Sequence, residues 1–166
     1  MSEPAQPVVV FDCMTFLQAA ISPTGPAAAC LRLVEAGVVL LVTSPVLFDE
    51  IRDVFNRPKI RRRNPRLTDE AVGAFLGRIA TLAPPRPDAP TVFPYPRDPK
   101  DEPYLNLAIA SGAKCLVSRD NDLLDLMRDD NADGKTLRAL CPGLTILDPV
   151  AFLQQITSGT GDKPTQ

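Results

Sequence analysis

The sequence predicts an α/β protein, in which helices cover both faces of a central, mainly parallel sheet of about four to five strands. This is a three-layer α/β/α arrangement, and two observations predict it. Short runs of continuous apolar residues, rich in Val, Leu and Ile, recur along the chain and are typical of strands buried on both faces. Amphipathic stretches of helical period lie between these runs, which is the alternation that parallel strands need for their crossover connections.

Four segments have the character of buried strands. Each is a short apolar run, and most are bounded by a glycine or a polar residue. The predicted strands are residues 8–12 (VVVFD), 38–44 (VVLLVTS), 114–118 (KCLVS) and 144–148 (LTILD).

The predicted helices are recognised by their apolar periodicity and by their capping residues. Ser44 stands at an N-cap position with Pro45 after it, and Thr68 or Asp69 caps a later helix. The predicted helices are residues 25–37, 44–56, 67–83, 101–113, 121–127 and 149–156.

Two segments are predicted to be loops, and the whole chain is predicted to form one domain. Residues 84–96 are dense in proline, which leaves at most a short edge segment around Val92. Residues 129–139 are polar and are expected to be a loop. We expect a single domain over residues 1–156 and a flexible tail over residues 157–166.

The composition limits the chemistry that the protein can perform. The chain has 166 residues, of which 45% are hydrophobic and 23% charged, and its net charge is −2. It contains no histidine, which excludes Ser-His and Cys-His nucleophile pairs and zinc sites built on imidazole. Carboxylates are therefore the groups available for acid–base chemistry and for metal binding.

The sequence predicts a cytoplasmic location. No apolar run approaches the roughly 20 residues that a membrane-spanning helix needs. The first residues, MSEPAQP, lack the basic and apolar regions of a signal peptide.

Acidic residues follow two of the predicted strands. Asp12 ends the first strand and Asp120 lies just beyond the third. Because ligands of open parallel α/β sheets bind beyond the carboxyl ends of the strands, these two acids are expected at one edge.

The helix that begins after Ser44 supplies a further acid. At 100° per residue its inward stripe contains Leu47, Ile51 and Val54, and Glu50 falls within the same arc. A carboxylate among core-facing positions is costly unless something compensates for it. Glu50 is therefore a candidate for the same site.

Three further acids lie around the start of the helix predicted at 101–113. Asp98 precedes the helix, and Asp101 and Glu102 are its first two residues. Asp101 is in line with the buried positions Tyr104 and Ala108, whereas Glu102 lies toward the edge of that face. We therefore expect Asp101, rather than Glu102, to face the site.

An alternative explains these acids without a site. Asp98 and Asp101 could be turn and N-cap residues, and Asp120 could cap the helix that follows it. A cluster of carboxylates, however, repels itself and raises its own pKa values unless a cation neutralises it. Oxygen ligands suit Mg²⁺ or Mn²⁺.

The ordered set of these elements resembles the PIN domain, and specifically the stand-alone bacterial branch regarded as toxins of toxin–antitoxin pairs. Four stretches carry the resemblance and occur in the order of the family. They are VVVFD, LVTSPVLFDEIRDVFNRPKI, RDPKDEPYLNLAIASGAKCLVSRDNDLL and LTILDPVAFL.

The resemblance implies a metal-dependent endoribonuclease whose acids bind Mg²⁺ or Mn²⁺. The catalytic, metal-binding acids carried over are Asp12, Glu50, Asp101 and Asp120. Outer positions are expected at Asp98, Glu102, Ser118 and Asp122. One departure is Met14, where the family often has Asn.

A basic stretch follows the helix of Glu50. Such a stretch could hold an RNA backbone without reading its sequence, although it could equally be ordinary solvated surface. The expected RNA-binding residues are Arg57, Lys59, Arg61, Arg62 and Arg63.

The expected partners are an RNA substrate, a cognate antitoxin protein and a second copy of the chain in a homodimer. Two other function classes compete with the nuclease. The first is a catalytically weakened PIN-like binding module, which Met14 favours. The second is a phosphoryl-transfer protein, which the absence of an Asp at position 14 and of a Lys after the last strand disfavours.

Overall fold

A computed structural model describes residues 6–161 of the protein, with side chains as far as residue 159. Its described part contains a four-stranded sheet in the order β2-β1-β3-β4, in which every neighbouring pair is parallel. The predicted parallel α/β arrangement is therefore confirmed. The strands are β1 (Val8–Phe11), β2 (Leu40–Leu41), β3 (Cys115–Val117) and β4 (Thr145–Leu147).

Helices connect and cover these strands. A short 3-10 helix, Asp125–Met127, also follows α7. The α-helices are α1 (Cys13–Ile21), α2 (Pro26–Glu35), α3 (Pro45–Phe55), α4 (Pro58–Arg63), α5 (Asp69–Leu82), α6 (Glu102–Ser111), α7 (Asn121–Leu124), α8 (Ala132–Leu140) and α9 (Pro149–Gly161).

The sheet separates two hydrophobic clusters, which makes the molecule three-layered. Val9 and Phe11 of β1 pack into one cluster, with residues of α1, α2, α3 and α9. Val10 between them packs into the other cluster, with residues of α6. Successive side chains of a strand point to opposite faces, so a fully apolar strand is what a doubly covered sheet requires. None of the helices in the described part of the chain is long and apolar enough to cross a membrane.

Helix α1 was not predicted, and the reason lies in its composition. Its sequence, CMTFLQAAI, is nearly as apolar as β1, and Asp12 is the single residue between the strand and the helix. The boundary is Asp12, whose side chain accepts a hydrogen bond from the backbone N–H of Thr15. Asp12 is thus both the residue after the strand and the N-cap of α1.

The prediction of a loop over residues 129–139 was wrong, because this segment forms helix α8. Asn131 caps it by accepting a hydrogen bond from the N–H of Gly134, and Leu137 is its buried anchor. The remaining polar residues lie mostly on its exposed side, so a helix with few buried positions had the composition of a loop.

The basic stretch also proved partly helical, as α4, and α9 continues past Ile156 to Gly161. The rest of the expected tail, residues 162–166, lies outside the described residues.

The proline-rich segment before α6 is a loop, as predicted, and one buried side chain anchors it. Asn106 accepts hydrogen bonds from the backbone N–H groups of Val92 and Phe93, each at 2.8 Å. Its amide nitrogen donates to the carbonyl oxygens of Phe93 (3.0 Å) and Glu102 (2.9 Å). Asn106 therefore joins the start of α6 to the loop.

Replacing Asn106 by Ala should lower the free energy of unfolding by about 1–3 kcal/mol, because the N–H of buried Phe93 loses its acceptor. Urea unfolding followed by circular dichroism measures this loss. Asn64→Ala is the matched control, since the half-buried Asn64 donates one side-chain hydrogen bond, to Ile60. Equal losses in the two variants would show that the loop does not depend on Asn106.

Candidate functional site

Five acidic side chains line one cavity at the carboxyl edge of the sheet. The cavity has a volume of about 410 Å³. Strands β1 and β3 end beside it, and α3 and α6 approach it from the side. Its acids are Asp12, Glu50, Asp98, Asp101 and Asp120. The structure thus brings together the four acids that were expected to be ligands, and Asp98 with them.

Three of these acids form a tight cluster. One carboxylate oxygen from each of Asp98, Asp101 and Asp120 lies within 4.8 Å of the other two. Asp101 is buried, with 8% of its surface exposed, and its Oδ2 atom has no hydrogen-bond partner among the described residues. A buried charged oxygen without a donor is costly, so this atom needs a proton or a cation.

The electrostatics of Asp101 agree with this geometry. Burial, together with the neighbouring carboxylates of Asp120 and Asp98, raises the pKa of Asp101 to about 9. Burial and the neighbouring carboxylates therefore favour a proton or a cation in this cluster over three bare negative charges.

Asp12 is the best supported of the five acids. Its Oδ1 accepts hydrogen bonds from the backbone N–H of Thr15 (2.8 Å) and from the Thr15 hydroxyl (2.5 Å). Its Oδ2 accepts a hydrogen bond from the hydroxyl of Ser118, which in turn accepts one from the N–H of Asp120. Burial raises the pKa of Asp12, and the bonds from Ser118 and Thr15 partly offset that effect.

Ser118 therefore links the first acid to the last. It is fully buried and touches both Asp12 and Asp120, which lie more than 100 residues apart in the sequence. The expectation that Ser118 supports the site agrees with this position.

Glu50 occupies another wall of the cavity and does not belong to the tight cluster. Its carboxylate accepts hydrogen bonds from the Tyr104 hydroxyl (3.0 Å) and from the Cys13 thiol (3.6 Å). Burial and the adjoining Glu50 charge raise the pKa of the Cys13 thiol to about 12, so the thiol keeps its proton as a donor.

Two expected outer residues face away from the cavity. The Oε2 atom of Glu102 accepts a hydrogen bond from the backbone N–H of Tyr95 (3.0 Å), which ties the proline-rich loop to α6. Asp122 pairs with Arg97 at 2.7 Å. Neither side chain lines the cavity, so Asp101 and not Glu102 occupies the position beside Asp98 and Asp120.

Capping accounts for part of the acid pattern only. Asp12 caps α1, and Asp120 caps α7 by accepting a hydrogen bond from the N–H of Asp122. Asp101 stands at the N-cap position of α6, yet its side chain makes no capping hydrogen bond. Capping therefore leaves Asp101 unexplained.

The basic stretch divides into structural and exposed residues. Arg61 donates to the carbonyl oxygens of Phe55 and Leu67 and pairs with Asp69 at 2.9 Å. Its guanidinium is engaged in these contacts within the protein, and RNA binding by Arg61 stays a prediction. Arg57 lines the acid cavity, whereas Lys59, Arg62 and Arg63 are exposed.

Two cations in the cavity were missed by the sequence reasoning. Lys100 and Arg119 both line it, and neither forms an ion pair with any of the described residues. Each is next to a predicted ligand in the sequence, Lys100 before Asp101 and Arg119 before Asp120. This adjacency was the signal that could have identified them.

The donor set fits a hard divalent cation. The cluster offers carboxylate oxygens and no nitrogen or sulfur, which is the ligand type of Mg²⁺ and Mn²⁺. A cation there would also supply the partner that the buried Oδ2 of Asp101 lacks.

Comparisons with known proteins agree with this fold and site. The sequence profile of the PIN domain matches residues 8–122, well over half of the chain, so the protein belongs to the PIN domain family. It is 29% identical over 149 residues to the uncharacterized protein MJ1680 of Methanocaldococcus jannaschii, covering 89% of this chain and 90% of that protein. No solved structure matches the chain significantly. PIN domains are generally nucleases that use divalent metals, and the match confirms the predicted resemblance to the PIN domain family.

The pKa of Asp101 generates a prediction about pH and stability without metal. Folding raises this pKa from 3.8 to about 9, so between these values the folded protein holds a proton that the unfolded chain has lost. Stability contributed by Asp101 therefore falls as the pH rises through this window. Asp101→Asn, which removes the titration, should stabilise the metal-free protein more at pH 8 than at pH 5.

Urea unfolding in EDTA at the two pH values measures this difference. Asp129→Asn, on the exposed surface, is the control and should show no such change with pH. The same difference between wild type and Asp101→Asn at both pH values would mean that Asp101 ionises normally.

Proposed function

We propose that the protein is a metal-dependent endoribonuclease that hydrolyses phosphodiester bonds of RNA, with Mg²⁺ or Mn²⁺ held by Asp98, Asp101 and Asp120. The observation that carries the proposal is the buried Oδ2 atom of Asp101, which lacks a hydrogen-bond partner and lies beside two further acids. Asp12 and Glu50 line the same cavity and complete the acid set.

The bound ion would supply an activated water molecule and would stabilise negative charge on the phosphate and the leaving oxygen. The residues of the chain set the positions of the acids. Ser118 and Thr15 fix the carboxylate of Asp12, and Ser118 also fixes the start of the segment that carries Asp120. Tyr104 and Cys13 hold Glu50 in a single orientation.

Lys100 and Arg119 are suited to contact the phosphate of the substrate. Both line the cavity while remaining exposed, and neither is engaged in an ion pair with the described acids. Cations that neutralise phosphates supply affinity for nucleic acid and position its backbone without reading its sequence. Arg57, Lys59, Arg62 and Arg63 extend this positive surface from the cavity along α4.

The biological setting that we propose is that of a cytoplasmic toxin with a cognate antitoxin. Membership of the PIN family and the resemblance to its stand-alone bacterial branch support this assignment. Expression in a bacterial host tests it: wild type should arrest growth and Asp101→Asn should not.

The homodimer stays a prediction, which sedimentation of the purified protein checks.

Asp101→Asn should reduce RNA cleavage in Mn²⁺ by at least about 10²-fold, on the order of 2.7 kcal/mol of transition-state stabilisation. The reason is that it removes a charged ligand from the centre of the cluster. Glu102→Gln is the matched control, since glutamine can still accept the hydrogen bond from Tyr95, and it should cost far less. Asp12→Asn is a poorer probe, because Asp12 also caps α1.

Single-turnover cleavage of a labelled RNA, with both variants checked by thermal unfolding, measures these effects. The reverse order of the two variants would assign the metal to Glu102. A wild-type protein that binds RNA and Mn²⁺ but cleaves nothing would instead identify a PIN-like binding module.

The double variant Arg62→Gln/Arg63→Gln should weaken RNA binding and flatten its salt dependence by roughly one unit per lost phosphate contact. Its affinity for Mn²⁺ should be unchanged, since both residues lie outside the acid cavity. Arg61→Gln should behave differently and lose stability. If RNA affinity and its salt dependence are unchanged in the double variant, α4 does not contact RNA and is ordinary solvated surface.

A further inference from the structure

The cavity continues beyond the acids as a groove between α1 and α3. Met14 and Gln18, one helical turn apart, line it from α1. Glu50 and Val54 line it from α3, one helical turn apart, and Arg57 lines it from the connection between α3 and α4.

The chemistry of this groove differs from that of the acid cluster. Met14, Ala27, Val54 and Pro149 give it apolar walls, and Met14 is 44% exposed at its rim. A divalent ion and a phosphate need no apolar wall. A nucleobase has an apolar face that gains from being covered, as it does when unstacked bases of single-stranded RNA stack on protein side chains.

Gln18 contributes an uncharged polar side chain to the groove. Its side chain is half-buried and lines the cavity, and its amide makes no hydrogen bond with the described residues. A side-chain amide offers both donors and an acceptor, which match the hydrogen-bonding edge of a base. This amide is therefore available to a ligand in the groove.

We propose that the groove between α1 and α3 is a nucleotide subsite, in which the base next to the scissile phosphate lies against the exposed side chain of Met14 and has its edge read by Gln18. Arg57 is placed to receive the neighbouring phosphate. Its present ion pair with Asp53, at 3.3 Å, is exposed on both sides and is therefore weak enough to exchange. This inference rests on the proposed function, since it names the part of the RNA that gives the nuclease its sequence preference.

Cleavage of a randomised RNA pool in Mn²⁺, read by sequencing of the product ends, tests the subsite. Wild type should show a preference of at least about fivefold for one base beside the cut, the discrimination expected of one good contact to a base edge. Gln18→Leu should lose that preference while still cleaving the pool. Gln154→Leu, an exposed glutamine on α9 outside the cavity, should keep it.

A binding measurement separates failure of the subsite from failure of the nuclease proposal. Titration calorimetry with the 5′-monophosphates of A, C, G and U in Mg²⁺ should show one nucleotide bound at least about fivefold more tightly by wild type, and equal binding of all four by Gln18→Leu. If wild type discriminates between the nucleotides but cleaves no RNA, the nuclease proposal fails and the subsite stands. Equal binding and cleavage of all bases by wild type, or an unchanged preference in Gln18→Leu, would overturn the subsite.

Discussion

The mutual repulsion of carboxylates at the carboxyl edge of the sheet is the constraint around which the rest of this structure is arranged. The parallel order β2-β1-β3-β4 brings the ends of β1 and β3 together, and with them Asp12 and Asp120. The protein supplies hydrogen-bond donors to most of these acids. Thr15 and Ser118 serve Asp12, and Tyr104 and Cys13 serve Glu50, but the Oδ2 atom of Asp101 receives none. The site is built to be completed by a positive charge.

Much of the fold was predictable because the sheet is covered on both faces. Strands of that kind must be apolar throughout, so the apolar runs VVVF and CLV could be recognised as strands from the sequence alone. Apolar composition is also the reason that α1 was not predicted. Phe16 and Leu17 of α1 continue the apolar character of β1, and only Asp12 separates the two elements. Helix α8 was concealed for the opposite reason, since few of its residues are buried and its polar surface has the composition of a loop.

The site was predictable where its residues obey local geometry. Strand ends located Asp12 and Asp120, and helical phase located Glu50 and placed Asp101 ahead of Glu102. Local geometry did not predict the contacts that Glu102, Asp122 and Arg61 make within the protein. The first two depend on Tyr95 and Arg97 of the proline-rich loop, and no sequence period fixes the path of such a loop. Arg61 depends on the turns before and after α4, because its backbone partners are the carbonyls of Phe55 at the end of α3 and Leu67 between α4 and α5.

The central claim is that the cluster of Asp98, Asp101 and Asp120 exchanges a proton for a divalent cation. Calorimetric titration of Mn²⁺ at pH 7, repeated in buffers of different ionisation enthalpy, measures that exchange directly, because it counts the protons released on binding. Given the raised pKa of Asp101, wild type should bind Mn²⁺ and release up to one proton, while Asp101→Asn should bind more weakly and release fewer. Absence of Mn²⁺ binding, or binding whose affinity and proton release are the same in Asp101→Asn, would contradict the claim.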